Sequence, residues 1–232
     1  MPKRLEKRHP LSIRWFHWIN FPVLATLVWS GLLIYYANDV YNISVGGHRL
    51  FHFFPERFYK EVGMVDSSGY SRLAEGIAWH FVFVWFFALN GLLYVLFLAF
   101  SGQWRHLVPR KGSLRNAWQT VLYDLGLSKT EPAPDGYNGA QRFAYTGVVV
   151  MALGSTLTGL AIWKPVTFRF LTALFGGYQL ARFWHFWLMI FFCLFFAVHI
   201  VQVVRAGWNN FRGMITGYQL VPAPPDTPQS EA

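Results

Sequence analysis

The stretch "FWHFWLMIFFCLFFAVHIVQVV", Phe183 to Val204, decides how the chain is read. It is apolar for long enough to cross roughly 30 Å of hydrocarbon at about 1.5 Å of rise per residue. Yet it keeps two imidazoles, His185 and His199, near opposite ends. Ionisable side chains at membrane depth are costly and mark function. Three further stretches have the same length and character: 15–36, 77–100 and 143–163. The expectation is an all-α integral membrane protein, a four-helix bundle.

Composition agrees. Only 13% of the 232 residues are charged and 54% are hydrophobic, where soluble domains run at about 25% charged. The net charge of +9 would suggest a nucleic-acid partner if it formed a solvated patch, but the cations bunch at the ends of the apolar runs. Topology control produces that pattern, and no nucleic acid is expected. The single cysteine, Cys193, excludes an internal disulfide and a cysteine-ligated cluster. The first span is too long for the apolar core of a signal peptide and no small-x-small cleavage site follows it, so it reads as an uncleaved helix.

Lys and Arg set the orientation. Thirteen flank the spans on one side: five in the N-terminal tail, six from Ser101 to Arg142, then Arg205 and Arg212. Seven lie on the other side. Basic short loops stay cytoplasmic, so both termini are expected inside. Residues 1–212 then form the membrane domain, and 213–232, Pro-rich and polar, a disordered cytoplasmic tail. No internal repeat is evident. Two extramembrane stretches have helical apolar spacing: "SLRNAWQTVLYDLGL" inside and "HRLFHFFPERFYKEVG" outside.

With helix directions assigned, the histidines sort by depth. His17 opens the first span and His199 closes the fourth, both near the inner face. His80 opens the second span and His185 the fourth, both near the outer face. Fourteen residues are about 3.9 turns, so His185 and His199 share a helix face roughly 21 Å apart. Two imidazoles facing each other suit an iron held axially from both sides. Zinc wants more protein ligands, and no carboxylate or cysteine lies at either level. Two bis-histidine haems, one per level, satisfy all four residues. Arg14, Arg142 and Arg205 at the inner level, and Arg72 and Arg182 at the outer, are the candidate partners of haem propionates. Gly31, Gly91, Gly147, Gly154 and Gly159 are candidates for letting a macrocycle approach a backbone. With both axial positions filled, such an iron passes electrons and does no oxygen chemistry.

The segments "RWFHW" (Arg14–Trp18), "AWHF" (Ala78–Phe81) and "YNGAQR" (Tyr137–Arg142), with the His185/His199 pair, give the chain a family resemblance. From about Pro10 to Asn210 it resembles the di-haem cytochrome b membrane subunits of formate dehydrogenase, nickel–iron hydrogenase and thiosulfate reductase. The resemblance implies two haems b, with His17 and His199 on the inner iron and His80 and His185 on the outer. It implies a quinone site beside the inner haem, lined by Asn138 and Gln141. It also implies a redox subunit of molybdenum, iron–sulfur or hydrogenase type docked on the outer face of a bacterial inner membrane. Read from the residues alone, Asn138 and Gln141 can either hydrogen-bond a quinone carbonyl or cap a helix. Two rival functions stay open. One is a self-sufficient haem b quinone reductase, superoxide-oxidase-like. The other is a non-haem transporter or proton pathway, disfavoured because no Asp or Glu lies in any span. Substrate chemistry is expected on another chain.

Overall fold

A computed structural model of the chain describes residues 3–37, 42–45, 48–52, 54–66, 68, 70–130 and 137–223. In chain order the elements are β1 (Lys3–Lys7), α1 (Leu11–Ala37), β2 (Asn42–Val45), β3 (His48–His52), α2 (Glu56–Glu61) and α3 (Leu73–Ser101). They continue with α4 (Trp104–Leu107), α5 (Ser113–Asp124), α6 (Gly139–Trp163), α7 (Arg169–Leu174), α8 (Tyr178–Thr216) and β4 (Tyr218–Pro222). Helices α1, α3, α6 and α8 are long and apolar enough to cross a membrane. The fold class read from the sequence is therefore the observed one: an all-α integral membrane protein with four spanning helices. Their large apolar side chains remain exposed, Trp85 at 61% and Val204 at 73% among them. In water such surfaces would drive association; here hydrocarbon covers them.

The chain divides into two compact units, Trp18–Asn90 and the remainder, Met1–His17 with Gly91–Ala232. In the first, α1 and α3 approach closely at Gly76, where a Cβ would stand 2.7 Å from Leu33 Cβ and 3.1 Å from the Ser30 carbonyl oxygen. A buried amide pair, Asn90 Nδ2 donating to Asn20 Oδ1 at 3.0 Å, joins the same helices deeper in the span. In the other unit α6 packs along α8 and carries α5 across its N-terminal end.

Helix α5 inverts the pattern of a soluble amphipathic helix. Its buried residues are the hydroxyls Ser113 and Thr120, while Leu114, Trp118, Val121 and Leu125 are exposed. An apolar face turned away from protein fits an interfacial helix lying on lipid, the inner-surface reading of that stretch. The other amphipathic stretch differs from its expectation. It splits into strand β3, paired antiparallel with β2, and the short helix α2 beginning after Pro55. Proline disfavours helical backbone in the residue before it, so no helix runs through.

The C-terminal region also departs from its expectation. The fourth spanning helix breaks at Gly207, whose φ of 79° leaves the helical region, then continues to Thr216. Gly217, also at positive φ, ends it, and β4 pairs antiparallel with β1 from Lys3↔Pro222 to Lys7↔Tyr218. Order thus extends past residue 213 to Pro222; the tail beyond residue 223 lies outside the described residues. The two ends of the chain sit on one ladder, which requires them to share one side of a membrane, as an even number of spans provides.

His9 adjoins this ladder. Its backbone N–H and that of Arg8 both donate to the Gly217 carbonyl. Burial, with the Arg8 and Arg14 charges, pushes the His9 pKa below its ordinary 6.5. The unfolded chain therefore takes up the proton first as pH falls. The His9 contribution is complete above 6.5 and is lost as pH drops through the folded value. Amide exchange in β1 and β4 should accelerate relative to the His9→Gln variant on acidification below 6.5, and the two proteins should match above it.

Candidate haem sites

His17 and His199 meet within one unit. Their ring centres are 5.9 Å apart with planes inclined at 56°. Bonds of about 2 Å from imidazole nitrogens on opposite sides of a metal put ring centres roughly 6 Å apart. Phe195, one turn earlier on α8, stacks on His199 at 5.9 Å and 11° and steadies its ring. Among the described residues no three His, Cys, Asp or Glu converge to hold a metal. A two-imidazole donor set with apolar walls is unsuited to zinc and suited to the axial positions of a haem iron. The residues present fit a haem.

The other two predicted ligands belong to different units, each with a hydroxyl partner. His80 Nδ1 lies 3.0 Å from Ser30 Oγ, and His185 Nδ1 lies 2.9 Å from Thr158 Oγ1. Metal-bound histidines almost always engage their second nitrogen in this way. Neither hydroxyl was among the residues singled out from the sequence. The signal available was a Ser-Gly or Thr-Gly pair inside an otherwise apolar span, a polar group that lipid does not tolerate without a partner.

The predicted propionate arginines separate. Arg142 is buried at 6% exposure. Its Nε donates to the Tyr137 carbonyl at 3.0 Å and its Nη1 to that of His106 at 2.6 Å. These bonds clamp the segment before α5 to the start of α6. Arg205 pairs with Asp124. Arg72 makes a two-point contact with Glu75 and also lies over the Trp29 ring. Arg182 lies over the Tyr178 ring at 5.8 Å. Arg14 donates through Nη1 to the Thr216 carbonyl, and its Nε is buried with no hydrogen-bond partner among the described residues. Arg212 has Nε and Nη2 in the same condition. Buried, unmatched guanidinium nitrogens favour an anion.

Asn138 and Gln141 form a capping box at the start of α6. Asn138 Oδ1 accepts from the Gln141 N–H at 2.8 Å, and Gln141 Oε1 accepts from the Asn138 N–H at 3.1 Å. The capping alternative is thus realised, with both carbonyl oxygens engaged. A carbonyl ligand would meet only the two NH₂ groups. Asn138 also lines a cleft of about 260 Å³ with Arg110, Ser113, Asn116, Tyr137 and Arg142.

Residues 8–217 match the family model of the prokaryotic cytochrome b561 proteins. A relative in Azospira oryzae, named "Putative protein-methionine-sulfoxide reductase subunit YedZ1", is 33% identical over 204 residues, covering 88% of this chain and 93% of its own. No solved structure matches the chain. The match runs from before the first span to the end of the fourth helix and takes in all four intramembrane histidines. The chain therefore belongs to the prokaryotic cytochrome b561 family and is a membrane subunit that transfers electrons through haem b.

Proposed function

We propose that this subunit carries electrons from membrane quinol, through two haems b, to a redox subunit docked on the extracytoplasmic face of the bacterial inner membrane. The 5.9 Å opposition of His17 and His199 carries the reading. In it these two imidazoles hold the inner haem and His80 and His185 the outer. Haem supplies one-electron exchange at a closed coordination sphere, and the protein supplies the rest. Helix rise keeps His185 and His199 on separate irons. Hydroxyl contacts orient His80 and His185, and the apolar helices exclude water. Arg14, with the unmatched nitrogens of Arg212, takes the inner propionates; Arg182 is the outer candidate. Thirteen cations on the side of the termini support placing both termini in the cytoplasm. The name of the Azospira oryzae relative supports a reductase as the partner.

The purified chain is expected to contain two haems b. A ratio near one, with His80→Ala leaving the spectrum unchanged, contradicts the two-site arrangement.

Quinone is placed at the start of α6, where the NH₂ groups of Asn138 and Gln141 face outward from the capping box. Asn138→Asp with Gln141→Glu keeps both acceptor oxygens, and so the helix start, while removing both donors. Haem content and helix content should stay at wild-type levels while reduction by quinol slows, because both donors to the carbonyl are replaced by carboxylates that only accept. Unimpaired quinol-driven reduction in this double variant would move the site elsewhere.

A further inference from the structure

Two stretches far apart in the chain repeat one pattern that is not evident along the sequence. "SGLLI" (Ser30–Ile34) lies on α1 and "TGLAI" (Thr158–Ile162) on α6. "WHF" opens both partner helices, at Trp79–Phe81 on α3 and Trp184–Phe186 on α8. Phenylalanine pairs follow six and seven residues after each histidine: Phe86 and Phe87, then Phe191 and Phe192. The hydroxyl precedes its histidine by 50 residues in one case and 27 in the other, and this unequal spacing hides the repeat. Local geometry reveals it twice, once in each unit.

In both copies the hydroxyl meets Nδ1, and the glycine that follows it abuts the same ring. A Cβ at Gly31 would stand 3.6 Å from His80 Cε1, and one at Gly159 3.4 Å from His185 Cε1. Ser30 and Thr158 are both 0% exposed, among the most buried side chains of the protein. Polar groups so placed within spanning helices are expensive and need a reason to persist.

The direction of the hydrogen bond follows from counting protons. A hydroxyl has one. Thr158 Oγ1 donates it to the Gly154 carbonyl at 2.7 Å, so its lone pairs face His185 Nδ1. In that arrangement Nδ1 carries the single N–H of a neutral imidazole, which leaves Nε2 with its lone pair. Ser30 repeats the arrangement more loosely. Its own acceptor, the Leu27 carbonyl, is 3.3 Å away and also lies within hydrogen-bonding reach of the His80 ring.

We propose that Ser30 and Thr158 are positioning residues that fix the tautomer and raise the donor strength of His80 and His185, and so set the midpoint potential of the outer haem. This rests on the haem-ligation reading above. An acceptor on the N–H makes the far nitrogen more basic, which favours oxidised iron. Removing the acceptor therefore shifts the potential upward. The effect of Ser30 is the smaller, because the Leu27 carbonyl takes over the N–H.

The test uses the full chain, purified with its haem. Thr158→Val removes the hydroxyl at nearly constant volume, Thr158→Ser restores it, and Ser30→Ala probes the other copy. His185→Ala serves as the ligation control. Thr158→Val should keep the wild-type haem content, raise the midpoint of one haem component, and displace that component's low-spin EPR signal. The second component should not move, and Thr158→Ser should return both readouts to the wild-type values. Ser30→Ala should shift the same component in the same direction by less. Unchanged midpoints and EPR in Thr158→Val, or equal shifts of both components, would overturn the proposal. If Thr158→Val does not assemble, Thr158→Ala and Ser30→Ala decide by the same two readouts. If His185→Ala retains the full haem complement, the ligation reading itself fails. If His185→Ala loses a component and the hydroxyl variants shift nothing, only the positioning role fails.

Discussion

His199→Ala is expected to remove one haem component and halve the haem b absorbance. Its ring is half of the pair that lies 5.9 Å apart with His17, and a lone imidazole leaves one axial position empty. Reduction by quinol should fail with it, because the proposed quinone site adjoins the haem proposed for this pair. His185→Ala should remove the other component and leave the remaining haem reducible by quinol, with delivery to an external partner lost. The two histidines are 14 residues apart on one helix, about 21 Å of rise, which no single macrocycle spans. Each variant also removes the proposed axial counterpart of another histidine, His17 in one case and His80 in the other, so yields should drop. The deciding measurement is a redox titration on material that still assembles. Loss of the same spectral component in both variants would show that the histidines do not pair by depth.

Among the described helical glycines, Gly139→Ala should be the most damaging methyl addition. A Cβ at this position runs into the Ser113 carbonyl and would stand 2.6 Å from the Ala117 nitrogen. Those atoms are backbone, and no rotamer change moves them. The Gly139 N–H also donates to Asn116 Oδ1 at 2.6 Å, so α5 and α6 are bonded where they touch. Overpacking a close contact costs about 1–3 kcal/mol, and separating the helices adds the loss of that hydrogen bond, about 1 kcal/mol. The thermal midpoint in detergent should fall well below that of Gly147→Ala, where the added methyl meets open space. Equal midpoints for the two variants would mean that the α5–α6 crossing is not rigid. Because the same crossing carries the capping box and the Arg142 clamp, quinol-driven reduction should fall with it.

The four spans, the positions of the four histidines along them and the helical stretch of α5 were legible in the sequence. Each is a property of consecutive residues measured against a fixed external length, the bilayer or the helical turn. Asn138 and Gln141 were legible as a pair, because three-residue spacing at a helix start is local chemistry. Which use the pair makes of its oxygens was not. Ser30 and Thr158 escaped notice because their partners come from other helices, 50 and 27 residues away. The arginines looked alike as interface cations until tertiary contacts separated Arg142, clamped to backbone carbonyls, from Arg14 and Arg212, whose buried nitrogens have no hydrogen-bond partner among the described residues.

By itself, the sequence determined that the chain is a membrane protein of four spanning helices with an imidazole near one or both ends of three of them, because burial in lipid depends on runs of residue type. The tertiary structure decided the break at Gly207, the β1–β4 ladder that brings the termini together, and the hydroxyls that meet His80 and His185. Those depend on which backbone atom or side chain arrives from a distant part of the chain, and hydrophobic periodicity carries no record of that.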